Sequence, residues 1–511
     1  MFHSSWGLEF ILANIEAPCT LLDFPTRDRF IDEIRRNHYD IIGISSIMVN
    51  LLKVREMCRL IRKYQPEATI VIGGHIANVT DLDSEIDADH IVRGEGVQWF
   101  CRFLSQEVPT LYRHPLIVSG FGARSLGISG NEKTGEVAAT LIPSVGCPKG
   151  CDFCSTSAMF GGKGKCFHFY KSGEQLFDIM CQLEEALHVQ SFFVMDENFL
   201  LNRKRALRLL ELMEQNDKAW TLYVFSSADA LRLYTIDQLV RLGISWVWMG
   251  LEGKDSEFSK LDGIDTFELV RELQSHGIHV LGSTIIGLDS HTPENIADVI
   301  EWAVRHDADF HQFMLRTAIY GTQLHAKMSE MGLLKDRKHL PIADQHGQDR
   351  FNHWHPHIHD GAETEFLLQA FQSDFEVNGP SLVRITRTSL AGWKRYRRHP
   401  DLRVRRRYAQ EAKQLPTQFA AVTWACKRYY KRRRDVMHQK MSEVLRDLRS
   451  NFGIKSWFFS TVGGRYVYWK MKQEQRRLAQ GWTYEPPMFL KRNFGPLRKR
   501  VRSVIPRVLT A

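Results

Sequence analysis

Residues 137–154 read Val137-Ala-Ala-Thr-Leu-Ile-Pro-Ser-Val-Gly-Cys147-Pro-Lys-Gly-Cys151-Asp-Phe-Cys154. The apolar run Val137–Ile142 is an expected strand, and it delivers three cysteines within eight positions. Soft thiolates at C-x3-C-x2-C spacing can wrap one small metal centre from a single loop, with Gly150 allowing the tight turn. Three thiolates leave one iron of a 4Fe–4S cluster without a protein ligand, and an open iron can bind a substrate or cofactor. A zinc site needs a fourth ligand, which Cys166 or His168 could supply. Phe153 before the last cysteine and the strand context weigh against zinc.

Working outward from this loop, apolar strands alternate with amphipathic helices. Expected strands are Val137–Ile142, Phe192–Met195, Leu222–Ser226, Trp246–Leu251, Val280–Ile286 and His311–Leu315. Helices are expected between them at Gly173–Leu187, Lys204–Asn216, Thr235–Leu242, Thr266–His276 and Pro293–His306. Six βα units suit a partial (β/α)6 barrel of the TIM type, with its site at the carboxyl ends of the strands. Upstream, Asp40–Ser45, Thr69–Gly74 and His90–Gly96 read as strands of a second parallel sheet, with the helix Val49–Tyr64 between the first two. Each of these strands ends in Ser or Gly, where a large ligand can approach the backbone. A sheet of this type should open with a strand, yet the chain starts with the helical stretch Leu8–Asn14, so the first strand is expected to be missing. Beyond residue 340 strand signals stop. Glu363–Asn378 and Thr417–Ser450 read as helices, with a break at Leu415–Pro416. The expected organisation is α/β: residues 1–115 Rossmann-like, 135–340 the barrel, and 341–511 a basic, aromatic-rich helical region.

The 511 residues are 43% hydrophobic and 25% charged, which excludes wholesale disorder and a small disulfide scaffold. No run of 18 apolar residues is present, and the N-terminus lacks the pattern of a secretory signal. Nine cysteines, three of them clustered, point to metal binding in a reducing, cytoplasmic setting. The net charge of +9 hides an asymmetry, because residues 381–511 hold 33 basic and 7 acidic side chains. A basic tail on an acidic body suits an anionic partner, either nucleic acid or a phospholipid surface. Basic runs at Lys431–Arg434 and Lys491–Arg500, with aromatics at Ser456–Ser460 and Arg465–Lys470, favour an interfacial membrane face over nucleic acid, and hence a position at the inner membrane face.

The cysteine motif, its aromatic and its place after the first strand of a βα series resemble the radical S-adenosylmethionine (SAM) enzymes. That resemblance implies Cys147, Cys151 and Cys154 as ligands of a 4Fe–4S cluster, with SAM on the fourth iron. Asp196-Glu197-Asn198-Phe199 resembles a second-strand segment whose polar groups meet SAM or substrate. Met249-Gly250-Leu251-Glu252 resembles the fourth-strand segment whose carboxylate faces the SAM methionine or ribose. Gly282–Gly287, with Ser283 and Ile285, resembles the fifth-strand segment that packs on the adenine. The N-terminal region resembles the subset with a cobalamin-binding domain. There Ser45 and Ser46 would line the nucleotide-tail pocket, and Gly73-Gly74-His75 and Gly94-Glu95-Gly96 would form its turns. The D-x-H-x-x-G sequence that ligates cobalt in other corrinoid proteins is absent; Asp309-Phe-His311 begins like it but lies in the barrel.

The resemblance implies SAM cleavage to a 5′-deoxyadenosyl radical, an electron donor such as flavodoxin or ferredoxin, and cobalamin-dependent methylation of an unactivated carbon. With the basic, aromatic tail, a lipid-like or other hydrophobic substrate is expected. Non-methylating radical chemistry and RNA modification are the alternatives. His353, His355, His357 and His359 alternate along the chain, and solvated imidazoles on one side of a loop are expected there. Cys166 is expected to be buried.

Overall fold

A computed structural model describes residues 5–119, 124–125, 128–129, 137–253, 261–431, 434–481 and 488–493. In the N-terminal region the helix Trp6–Asn14 leads to β1 (Cys19–Asp23), and then β2 (Ile41–Ser45), β3 (Thr69–Gly73) and β4 (His90–Ile91) form a parallel sheet in the order β2-β3-β4. Ile44, Ile70 and Ile72 are buried with Val54 and Ile61 of the helix Leu51–Tyr64, as expected of strands covered by helices. β4 stops at Ile91, earlier than the sequence predicts, because Gly94 turns the chain at φ +87 and Gly96 already opens the helix Gly96–Phe103.

The barrel strands are β5 (Ala138–Leu141), β6 (Ser191–Val194), β7 (Thr221–Phe225), β8 (Ile244–Glu252), β9 (His279–Ile286) and β10 (Phe310–Leu315). They pair in chain order, all parallel, and Val118–Ser119 adds an antiparallel edge beside β5. Their apolar faces meet in one core with the surrounding helices, including Leu141, Phe192, Val224, Val247 and Val280. Capping boxes start two of those helices, Ser172 with Gln175 and Thr235 with Gln238. Tyr320 and Ile342, beyond β10, are buried in the same cluster as Ile72 and Ile76, so the N-terminal sheet rests on the barrel's last segment.

Three features differ from expectation. The strand β1 was not foreseen; it lies outside the parallel sheet and pairs antiparallel with β11 (Phe489–Asn493), in a tail where no strand was expected. Lys491 pairs with Glu9 and Arg492 with Glu33, so charge complementarity fastens the two ends. The expected helix Thr417–Ser450 is two helices, Ala420–Tyr430 and Asp435–Phe458, packed on each other. Lys431 and Arg434 lie at the break between them, where a continuous helix would bring these like charges together. At Leu415–Pro416 the chain stays helical and widens into one π-turn over Leu415–Phe419.

Further, the tail's charge is not all outward. Arg384, Arg403 and Arg407 are buried, and they donate to Ala308 O (2.7 Å), Lys218 O (3.0 Å) and Ile244 O (2.8 Å) at the base of the barrel. No helix among the described residues is long and apolar enough to cross a membrane.

Candidate cluster and cofactor site

The loop after β5 is drawn tight at Gly150. Gly150 sits at φ +65 and a Cβ there would lie 2.5 Å from Lys163 Cα, so only glycine fits. Cys154 N donates to Cys151 O (3.0 Å), Ser157 Oγ donates to Cys147 O (2.7 Å), and the Cys154 thiol caps the helix Ser155–Met159 from its N-terminus. All three cysteines are half-buried thiols. Burial raises the pKa of Cys147, a backbone hydrogen bond at Lys149 opposes this, and the Cys154 and Cys151 thiols raise it further, so the three form one electrostatic group. Among the described residues no three His, Cys, Asp or Glu side chains converge on a single-ion site. Three soft thiolates on one loop suit the irons of an iron–sulfur cluster and would leave one iron open. Cys166 donates to Gly146 O (3.4 Å); it is half-buried, and its thiol is pushed up to about 12 by burial and by Asp196 and Glu197.

The loop is clamped by charges that sequence reading missed. Lys149 pairs with Asp229 beyond β7. Arg316, after β10, holds Asp289 at 2.5 Å and lies 3.8 Å from Asp152 of the cysteine loop. Such partners are far apart in sequence and no local pattern marks them.

The β6 rim divides its three polar residues between different tasks. Asp196 is buried and receives Arg205 Nη2 (2.6 Å) and the Ser144 hydroxyl, so its carboxylate is occupied by protein partners. Glu197 is raised to about 8 by burial and then by Asp196, and its Oε2 is buried without a hydrogen-bond partner among the described residues. At neutral pH it is therefore a protonated carboxyl at the rim. Asn198 accepts from Ser227 N (3.1 Å) and donates to Ser227 Oγ (2.9 Å), joining the β6 and β7 rims; it does not cap a helix.

Glu252 ends β8, is buried and adopts φ +60, a left-handed backbone that costs a non-glycine residue about 1 kcal/mol. The pairing of β8 with β9 shifts register between Gly250 and Glu252, so that Leu251 is skipped and Glu252 pairs with Thr284 at the end of the ladder. On β9, Ser283 is half-buried and Ile285 buried, and Gly287 at φ +85 lies so close to the Phe351 ring that a Cβ would collide with it. We expect Glu252→Gly to fold with a stability within about 1 kcal/mol of the parent in chemical denaturation, relief of the left-handed backbone offsetting loss of the buried side chain, and, where the carboxylate receives SAM, to bind SAM more weakly in calorimetry. Unchanged affinity would remove Glu252 from the SAM site.

At the N-terminal sheet, Ser45 is exposed and Ser46, Gly73, Gly74, His75, Gly94, Glu95 and Gly96 are half-buried at the strand ends. Gly74 at φ +81 lets Ser46 approach; a Cβ would lie 2.5 Å from Ser46 O. His75 Nδ1 is buried and has no hydrogen-bond partner among the described residues, an atom that suits a bound polar group. Glu95 accepts from Val97 N (2.7 Å) and Gln98 N (2.8 Å), so this carboxylate is a helix cap. Next to it a Cβ on Gly94 would make ordinary van der Waals contact with Met159 O at 3.8 Å. The helix Ser155–Met159 after the cysteines also packs against His75–Asn78. The rim of the N-terminal sheet and the cysteine loop thus share an edge.

Asp309 and His311 serve the fold: Asp309 accepts from Val280 N (2.9 Å), and His311 Nε2 bonds Thr284 Oγ1 (2.9 Å). The histidine run departs from expectation. His353 and His355 are buried while His357 and His359 are exposed, because His355 Nε2 donates to Leu288 O (3.1 Å) and draws the segment onto the barrel rim.

Comparison with known proteins agrees with this layout. Residues 4–104 match the B12 binding domain and residues 141–303 the radical SAM superfamily. A bacteriochlorophyllide d C-8(2)-methyltransferase of Chlorobaculum tepidum is 23% identical over 357 residues, covering 65% of this chain and 77% of that protein. An uncharacterized methyltransferase of Pyrococcus horikoshii is 23% identical over 329 residues, covering 57% and 70%. The hopanoid C-2 methylase of Rhodopseudomonas palustris is 27% identical over 308 residues, covering 57% and 55%. The methyltransferase TsrM of Kitasatospora setae, solved with cobalamin and a [4Fe-4S] cluster, aligns with TM-score 0.49 at 15% identity over 75% of this chain and 89% of that chain. The chain is an enzyme of the radical SAM superfamily, in the subset that carries a B12-binding domain ahead of the barrel. Its cofactors are a 4Fe–4S cluster, SAM and cobalamin.

Proposed function

We propose that this enzyme methylates an unactivated carbon of a lipid-like or other hydrophobic substrate. The observation that carries the reading is the shared edge between the N-terminal sheet rim at Gly94 and His75–Asn78 and the helix that follows the cysteines. Cofactors held on those two rims would face one substrate. Relatives named for methylation at C-8(2) of bacteriochlorophyllide d and C-2 of hopanoids support carbon as the acceptor.

In this reading Cys147, Cys151 and Cys154 hold the cluster, and Glu252, Ser283, Ile285 and Gly287 receive SAM. Ser45, Ser46, Gly73, Gly74, His75 and Gly94 receive cobalamin. When bound, the cluster with SAM supplies hydrogen-atom abstraction and cobalamin supplies methyl transfer. The remaining work belongs to the chain. Arg205 fixes Asp196 and with it the end of β6. Protonated Glu197 offers a hydrogen bond at that rim without adding charge. Lys149–Asp229 and Arg316–Asp152 keep the cysteine loop in place. An electron donor such as flavodoxin or ferredoxin would supply the reducing equivalent.

The test is anaerobic turnover with SAM labelled in its methyl group, a strong reductant and a lipid extract. Label in an organic-soluble product supports the reading. SAM cleavage with no methylated product in that fraction would contradict it and bring non-methylating radical chemistry forward.

Glu197 also makes a prediction about pH. Its carboxyl is raised from 4.5 to about 8 in the fold, so between those values the folded chain holds a proton that the unfolded chain has released. Its contribution to stability is complete below about 4.5 and is lost as pH rises towards about 8. In the cofactor-free protein, Glu197→Gln should flatten the fall in stability across that window and be the more stable variant at pH 8, as read by urea midpoints. Parallel profiles for the two proteins would show that Glu197 titrates normally.

A further inference from the structure

The tail contains a helical stretch built inside out. From Ile454 to Ala479 the chain is helical, with one π-turn over Phe459–Gly463, after a kink at Gly453 (φ 57). The residues it buries are mostly small: Ser456, Ser460 and Gly464, then Val467. These stand at i, i+4, i+8 and i+11, one face of a helix. That face lies on the helix Ala420–Tyr430, and it lies close. A Cβ on Gly464 would be 2.7 Å from Trp424 Cε3, and one on Gly463 would be 3.3 Å from Ala421 Cβ. Arg449 reinforces the seat by donating to Ser460 Oγ (2.9 Å).

The large apolar side chains point the other way. Ile454 is 85% exposed, Trp457 and Trp469 56% each, Phe458 50%, Val462 53% and Tyr466 49%. An amphipathic helix that belonged only to this fold would bury these and expose the serines. Six large apolar groups on one rigid face exceed the scattered exposure normal for a soluble surface. The charges around them are of one sign. Between residues 448 and 473 there are five basic side chains, Arg449, Lys455, Arg465, Lys470 and Lys472, and no acidic one. Lys455 and Arg465 are exposed, and the Lys470 ammonium lies 5.1 Å over the Trp469 ring, its stem along the apolar face and its charge at the edge.

We propose that this face docks the enzyme on an anionic phospholipid bilayer. Indole and phenyl groups would enter the headgroup boundary, and the exposed cations Lys455 and Arg465 among them would meet lipid phosphates. On this face the exposed aromatic and aliphatic groups outnumber the exposed cations Lys455 and Arg465 that stand among them, which suits insertion at a headgroup boundary better than stacking of RNA bases. The docking does not depend on the reaction or its substrate.

The test is flotation of the full-length enzyme with vesicles of phosphatidylcholine alone and of phosphatidylcholine with phosphatidylglycerol, at low and high salt. The enzyme should float with the anionic vesicles and less with the neutral ones. Trp457→Ser with Trp469→Ser should lower partitioning about ten-fold at either salt concentration. Lys455→Ser with Arg465→Ser should lower it about five-fold per cation at low salt and little at high salt. Quenching of the parent enzyme's tryptophan fluorescence by brominated lipid needs no variant and should accompany flotation. SAM cleavage, measured on the same samples, should survive both pairs of substitutions, so loss of docking and failure of the proposed chemistry read out separately. Three results overturn the proposal: flotation unaffected by Trp457→Ser with Trp469→Ser, concentration-dependent dimers that the same substitutions dissolve without vesicle binding, or salt-sensitive RNA binding without vesicle binding.

Discussion

Cys151→Ala is expected to abolish the cluster and SAM cleavage while the helical content stays as in the parent. The side chain sits in a loop whose shape is set by Gly150, by the Ser157–Cys147 hydrogen bond and by the Lys149–Asp229 and Arg316–Asp152 pairs, none of which involves the Cys151 thiol. Removing it therefore deletes a donor without removing a fold contact from that set. Even groups that merely orient metal ligands cost about 10–100-fold when changed, and a ligand exceeds that. Activity below about one-hundredth of the parent, iron content near zero and an unchanged far-ultraviolet circular dichroism spectrum are the expected readings. Retained SAM cleavage would contradict the assignment of all three cysteines.

Arg205→Ala is expected to have the largest effect on stability. The Arg205 and Asp196 side chains are 1% and 6% exposed, and the guanidinium also donates to Ser144 Oγ (3.3 Å) and Tyr170 O (3.3 Å). Removing one member of such a pair leaves a buried, uncompensated charge, which costs about 3–5 kcal/mol. The damage would not stay local, because Asp196 also accepts from Asn198 N (3.1 Å) and is a neighbour of Glu197. A loss below about 1 kcal/mol in denaturant titration would mean that Asp196 is solvated in the native state. The double variant Arg205→Met with Asp196→Leu should recover part of the stability, since it removes both charges.

Much of the barrel was legible because its strands are buried on both faces. Phe192–Met195 and Val280–Ile286 read as strands rich in apolar residues and fold as β6 and β9, within one residue of expectation. The helix Gly173–Leu187 was legible to the residue, with Ser172 and Gln175 as its capping box. The tail was less legible for the opposite reason. Ser381–Tyr396 and Leu402–Glu411 bury Arg384, Arg403 and Arg407 against carbonyls of the barrel, so polar residues stand where an apolar stripe would announce a helix face. β1 and β11 have no period-two alternation to reveal them, and their pairing joins the two ends of the chain.

The site shows the same division. Cys147, Cys151 and Cys154 declare themselves by spacing, and Glu252 by its motif. The occupation of Asp196 by Arg205, the capping role of Glu95 and the clamp from Arg316 to Asp289 and Asp152 depend on side-chain directions that a linear pattern does not carry. The left-handed backbone of Glu252 is equally silent in sequence, where glycine would be the expected residue for that conformation.

The most direct measurement takes anaerobically purified, cluster-reconstituted enzyme produced with cobalamin available. Iron, sulfide and corrinoid per chain would be determined together with the ultraviolet–visible spectrum. The account predicts about four irons, four sulfides and one corrinoid per chain. Four irons without corrinoid would contradict the methyl-transfer reading and leave radical chemistry on the barrel alone, and a chain that holds zinc in place of iron would contradict the cluster itself.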